Sequence, residues 1–215
     1  MKANYKSFCR KNRGSILVFG FFIFVRATLA NEYVVPSGSM EPTIAIGDRI
    51  FVNRTAFDIK FPLSNIILKS LHEPKPGSIV VFESPKEAGL VLVKRLIAVP
   101  GDEVEIKNGF VFINQQATVR AVESPTLYQE AMGQHLHWVQ RLPELYHPDY
   151  FHFVVPAGHY FMMGDNRDNS ADGRVFGLVA RELLIGEVKG VIFSVNFSRP
   201  LSEMVAWNRF GKALI

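Results

Sequence analysis

The sequence predicts a mainly β protein: an antiparallel, partly closed β domain with an inserted flap, preceded by one N-terminal transmembrane helix. Three observations carry this reading. After Ala30 the chain is punctuated by Gly and Pro at short spacing, with apolar runs between them, a pattern of short antiparallel strands and turns. The dipeptide Asn108-Gly109 separates two β-rich arms in EVEIKNGFVFIN, which favours a type I′ turn and a tight hairpin. Ahead of all this lies a single apolar run, residues 14–30, behind a basic tail.

The tail, residues 1–13, holds Lys2, Lys6, Arg10, Lys11 and Arg13 and no acid. These five cations outweigh the formal charge of +4, so the remainder of the chain is near neutral. No aromatic-and-basic motif accompanies them, and nucleic acid is not an expected partner. As a helix, residues 14–30 would rise about 25 Å at about 1.5 Å each, just enough for a thin or locally deformed bilayer. Arg26 near the far end can snorkel to the interface. The cations put the tail in the cytoplasm and residues 31–215 outside it, as one extracytoplasmic domain. A cleaved secretory signal is the rival reading, since Thr28-Leu29-Ala30 precedes Asn31 as a cleavage site would. Arg26 so close to that point fits it badly.

Strand candidates follow in order: Ser78–Phe82, Leu90–Val99, the two arms of the hairpin, His159–Met163 and Gly190–Val195. Helical pattern is confined to a turn near Ala180–Leu184. With 48% hydrophobic and 20% charged residues over 215 positions, one medium domain plus an appendage can pack a core. Residues 115–152 differ in character, with His135, His137, His147 and His152 among aromatics and prolines. They read as an insertion between core strands, a flap or small subdomain. His135 and His137 could ligate a metal, but no carboxylate–histidine pattern accompanies them, and surface or packed histidines are the stronger reading. No metal and no cofactor is expected. Cys9 is the single cysteine, which excludes an internal disulfide, a cysteine-based zinc site and a redox pair.

Chemistry concentrates in three stretches. PSGSMEP, Pro36–Pro42, carries Ser37 and Ser39; a serine hydroxyl is a weak nucleophile and needs a neighbouring base. A histidine triad finds no support, because only His72 and His159 lie outside the insertion and neither is strongly patterned. Lys94 lies within LVLVKRLIAV. In a strand it shares a face with Leu92 and Leu96, where loss of hydration lowers an ammonium pKa. A shift from about 10.4 to about 7.5 takes roughly 4 kcal/mol, and the neutral amine is then a general base. The competing reading is an edge strand whose Lys94 and Arg95 reach solvent. GDNRDNSADGR, Gly164–Arg174, marks a tight, side-chain-bonded loop. Alignment as a calcium loop starting at Asp168 puts Val179 where a bidentate Glu is required, so that reading fails, and a plain structural turn remains.

Taken together, five stretches resemble bacterial type I signal peptidase, the leader peptidase family. They are the apolar segment's end with Arg26, PSGSMEPT, PGSIVVF, KRLIAVPGD and GDNRDNSADGR, in family order over most of Arg26–Arg174. The resemblance implies a membrane-anchored serine endopeptidase that removes N-terminal signal peptides from exported precursors. It implies cleavage after small residues (Ala-x-Ala), a single-pass place in the cytoplasmic (inner) membrane, a monomer, and precursors and the lipid bilayer as partners. Matched by motif, Ser39 resembles the nucleophile, Lys94 the general base, and Ser37 the hydroxyl that joins the Ser39 backbone N–H in an oxyanion hole. Ser170 resembles the hydroxyl that orients the lysine, and Asp172 and Arg174 a pair that holds the loop. Tyr33, Val35, Met40 and Val93 match positions near the substrate pockets, though Val93 needs a twist or bulge to share the side of Lys94. The best-known enterobacterial members have two spans where one is expected here. A conjugation-type relative would share every motif, so the substrate set stays open. Two other classes share part of the pattern: a self-cleaving serine–lysine protease of the SOS-repressor type, which is cytosolic, and an anchored β-domain that binds exported peptides without cutting them.

Overall fold

The computed structural model describes residues 11–61, 64, 66–133, 135–142 and 150–214, with backbone alone for 22–28. Lys2, Lys6, Cys9, Arg10 and His147 lie outside the described residues, as does the side chain of Arg26.

A helix forms where the apolar run predicts one, α1 (Arg13–Thr28). It is shorter than a bilayer span requires. Its 16 residues rise about 24 Å, against about 30 Å of hydrocarbon, and no helix among the described residues is long and apolar enough to cross a membrane. The chain leaves the helix because Ala30 is already paired with Asn53 in a sheet.

The rest is mainly β. The strands are β1 (Ala30–Val34), β2 (Asp48–Asn53), β3 (Asp58–Lys60), β4 (Ile67–Ser70), β5 (Ile79–Glu83), β6 (Val91–Ala98), β7 (Glu103–Lys107), β8 (Phe110–Ile113), β9 (Gln116–Ala117), β10 (Val119–Ser124), β11 (Leu127–Met132), β12 (His135–Gln140), β13 (Tyr150–Val154), β14 (His159–Met163), β15 (Val179–Ala180) and β16 (Leu184–Ser194). The main sheet has seven, in the order β1-β2-β16-β5-β6-β14-β15, antiparallel at every pairing. It is open, with β1 and β15 at its edges. A four-stranded sheet β13-β7-β8-β9, a three-stranded sheet β10-β11-β12 and a two-stranded sheet β3-β4 complete the body.

The β7–β8 turn forms as the Asn-Gly pair predicts, with φ of 52° at Asn108 and 75° at Gly109, the left-handed pair of a type I′ turn. β16 begins at Leu184 rather than Gly190, directly after a 3₁₀ turn at Arg181–Leu183. Within the expected insertion, Val119–Gln140 forms the three-stranded sheet, while His152 already belongs to β13, which pairs with β7.

Three apolar clusters pack against these sheets. One gathers Val35, Met40, Ile44, Ile50, Val52, Val81 and Val191 beneath the turn that follows β1. A second lies between β7, β8 and β14, around Val104, Ile106, Val111 and Phe161. A third holds Val80, Phe82, Leu96, Tyr160 and Met162.

Candidate active site

Ser39 lies in the turn between β1 and β2. The turn is closed by Glu41 N–H donating to Gly38 O at 3.1 Å and Ile44 N–H to Met40 O at 2.9 Å. Met40 and Ile44, both fully buried, root it in the first cluster. The hydroxyl of Ser39 is thus carried on a segment held from below.

Lys94 reaches it from β6. Its Nζ lies 2.7 Å from Ser39 Oγ in a hydrogen bond. β6 is an interior strand between β5 and β14, and Lys94 and Arg95 are only 3% and 1% exposed. The edge-strand alternative therefore does not hold. Burial pushes the Lys94 pKa down to about 8, partly opposed by the charges of Asp172 and Asp165. Near neutrality a usable fraction of this amine is unprotonated and able to accept the serine proton.

The loop Gly164–Arg174 surrounds this pair. Asp165 takes a two-point ion pair from Arg95, 2.8 Å to Nε and 2.6 Å to Nη2, and a 2.5 Å bond from the Thr43 hydroxyl. Burial pushes the Asp165 carboxyl up, but the charge and bonds of Arg95 outweigh it and hold it low. Arg167 makes a second buried two-point pair with Glu130 of β11, at 2.8 and 2.5 Å. Arg141 and the Leu142 N–H donate to Asp168. Asp172 caps the short helix α2 (Gly173–Phe176) and accepts from Gly164 N–H, Arg174 N–H and the Arg174 guanidinium. Five side chains of one loop are thus each tied to a different neighbour or to the loop itself.

The profile of the family described as signal peptidase, peptidase S26, matches residues 12–193. The chain belongs to this family. It is 37% identical over 213 residues to a signal peptidase I of Pseudomonas aeruginosa, covering 88% of this chain and 73% of the relative. It is 32% identical over 214 residues to a signal peptidase I of Aquifex aeolicus, covering 80% of this chain and 79% of that one. A crystal structure of a signal peptidase I from Enterococcus faecalis is 26% identical over 55% of this chain and 98% of that one; its TM-score of 0.37 is too low to bear on the fold. The family is one of serine proteases, and the chain is a signal peptidase of it.

Against this family frame, the structure brings Ser39, Lys94, Asp172 and Arg174 together as described. Ser37 is exposed at the mouth, its hydroxyl 3.4 Å from Ser39 Oγ. Ser170 does not bond to Lys94: its Oγ is buried and has no hydrogen-bond partner among the described residues. It packs instead against Gly164, where a Cβ would fall 2.2 Å from Ser170 Oγ and 2.4 Å from Ser39 O. Only glycine fits between them.

The four expected pocket residues share the first cluster. Tyr33 and Val93 keep exposed surface, whereas Val35 and Met40 are buried and offer a substrate little area. No bulge brings Val93 to the side of Lys94. Val93 sits opposite Val81 of that cluster, while Lys94 sits opposite Val80 of the third, as strand alternation requires.

Several residues around the site had no role in the sequence reading: Thr43, Arg95, Glu130, Asp165, Asn166 and Arg167. Glu130 had a signal, since Tyr128, Glu130 and Met132 alternate onto the buried face of β11; an acid on that face requires a partner. His137 is buried, 3.8 Å from Glu130 and 3.9 Å from Asp165. Burial first, then the nearby Arg95 charge, drive its pKa down to about 3, so it stays neutral. Among the described residues no group of three or more His, Cys, Asp or Glu could hold a metal ion.

Proposed function

We propose that this chain is a membrane-associated signal peptidase working through a Ser39–Lys94 dyad. One observation carries the reading: a buried lysine with a lowered pKa, hydrogen-bonded to a serine hydroxyl at 2.7 Å. Neutral Lys94 takes the Ser39 proton as Oγ attacks the scissile carbonyl. The oxyanion is held by the Ser39 backbone N–H and the Ser37 hydroxyl. Lys94 then gives its proton to the leaving amine, and water hydrolyses the acyl-enzyme with Lys94 again as base. Asp172 and Arg174 hold the loop.

The substrates are exported precursors with small residues before the cut, read by a shallow surface that includes Tyr33 and Val93. The helix α1 leaves Ile16, Leu17, Val18, Phe19 and Phe21 exposed, and lipid is the medium that suits such a surface. Bilayer thinning or flanking residues would make up the missing length. The basic tail 1–13 then stays cytoplasmic and the catalytic domain, residues 31–215, lies outside the inner membrane. The test is cleavage of a precursor bearing an Ala-x-Ala site. The wild-type protein should cut it, while folded Ser39→Ala and Lys94→Arg should not, since arginine does not deprotonate in this range. Cleavage by either variant at the wild-type rate would overturn the dyad.

A further inference from the structure

The backbone N–H of Ser39 belongs to the Gly38–Ser39 peptide. In a planar trans peptide that N–H points opposite the Gly38 carbonyl. Whatever holds the Gly38 oxygen therefore aims the Ser39 N–H. Two donors hold it: Glu41 N–H at 3.1 Å, which belongs to the turn itself, and the Asn166 side-chain amide at 3.1 Å, which arrives from the far loop. Asn166 also donates its own backbone N–H to Ser39 O at 3.1 Å. One residue thus grips both peptide planes that flank the Ser39 Cα.

Asn166 is itself fixed. It is 1% exposed, bridges to Gln140 of β12, and is flanked by Asp165 and Arg167, each locked in a buried two-point ion pair. Its Oδ1 is buried with no hydrogen-bond partner among the described residues, and a carbonyl partner requires a donor, so the amide acts here through its nitrogen. Neither end of the amide bonds to Ser39 Oγ or Lys94.

We propose that Asn166 is a positioning residue for the oxyanion hole: its side-chain amide fixes and polarises the Gly38–Ser39 peptide so that the Ser39 N–H faces the developing oxyanion. This rests on the assignment of Ser39 as nucleophile made above. Two physical effects combine. A flip of the peptide would break the Asn166 bond and strand a buried donor, which disfavours the inactive orientation. A carbonyl that accepts hydrogen bonds also polarises its peptide and strengthens the opposite N–H as a donor.

The experiment measures kcat, KM and the pH–rate profile of Asn166→Ala on a precursor with an Ala-x-Ala site. The expected result is a kcat lower by about ten- to a hundred-fold with KM unchanged, the pattern of a bond that matters mainly in the transition state. The pH midpoint should stay where the wild type has it, because Lys94 is untouched. Combined with Ser37→Ala, the loss should be smaller than the product of the two single losses, because both act on one oxyanion. If Asn166→Ala does not fold, Asn166→Ser, too short to reach Gly38 O, is read in the same way. Wild-type kcat in a folded variant, a change confined to KM, or a displaced pH midpoint would each overturn the proposal. Ser39→Ala and Lys94→Arg run alongside: if they are inactive while Asn166→Ala is normal, only the role of Asn166 fails, and if they are active, the dyad fails first.

Discussion

Replacing Lys94 by methionine should abolish cleavage and stabilise the fold at neutral pH. The magnitude follows from the site. The folded lysine loses its proton near 8 and the unfolded one near 10.5. At about 1.4 kcal/mol per pH unit this is about 3 kcal/mol of destabilisation. The sign follows from proton binding. Below pH about 8 the folded protein keeps a proton that it binds more weakly than the unfolded chain does, so the penalty is fully present. Between about 8 and 10.5 the unfolded chain carries more proton, and stability rises with pH until the penalty is gone. Methionine has similar length and no charge. It also loses the bond to Ser39, a loss of about 1 kcal/mol. The net gain should be about 2 kcal/mol at pH 7 and near zero by pH about 10. Urea unfolding at the two pH values, with the slope of the transition compared, reads this directly. No gain at pH 7, or an equal gain at both, would refute the claim that burial lowers the pKa of this amine.

Ser37→Ala should lower kcat by about ten- to a thousand-fold with little change in KM; an unchanged kcat would make Ser37 structural only. Asp172→Asn removes the larger of the two carboxylate effects that raise the Lys94 pKa, so the pH–rate midpoint should fall below its wild-type value, and a steady or rising midpoint would contradict the charge balance described. Glu130→Ala should destabilise by about 3–5 kcal/mol by stranding buried Arg167, whereas Glu130→Leu with Arg167→Met should recover most of the loss; equal losses measured in urea for both would show that the pair is not the source. Protease added outside spheroplasts should digest the domain from residue 31 onward and spare the basic tail, and protection of the domain would reverse the topology.

Much of the fold was legible because its signals are local. Asn108-Gly109 dictates its own turn, and LVLVKRLIAV reads as a strand in any context. The juxtaposed pair Ser39 and Lys94 stood out as candidates for a related reason. Two serines one residue apart in a stretch bounded by Pro36 and Pro42, and a cation in an aliphatic run, both conflict with their surroundings, and that conflict marks candidates. The N-terminal helix was legible as an apolar run but not in its length, because pairing of Ala30 with Asn53 ends the helix and no local residue announces that. Ser170 was placed by motif beside the lysine, yet its hydroxyl lies against Gly164; the sequence holds no information on the direction of a single χ1.

The long-range welds were the illegible part, and they bear on the lowered pKa that the proposed base, Lys94, requires. Burial lowers the amine pKa, and any free carboxylate nearby would restore it. Two buried aspartates do lie near Lys94, and each is engaged elsewhere: Asp165 by the two-point pair with Arg95, Asp172 by Arg174 and two backbone N–H groups. Their hold on the lysine is thereby reduced, and the desolvation effect wins, leaving the pKa near 8. The cations in the motif stretches, Arg95 beside Lys94 and Arg174 at the loop's end, thus act on the chemistry through the acids they occupy. A loop that carried the same aspartates without those arginines would hold the Lys94 pKa higher and leave less of the amine unprotonated at neutral pH.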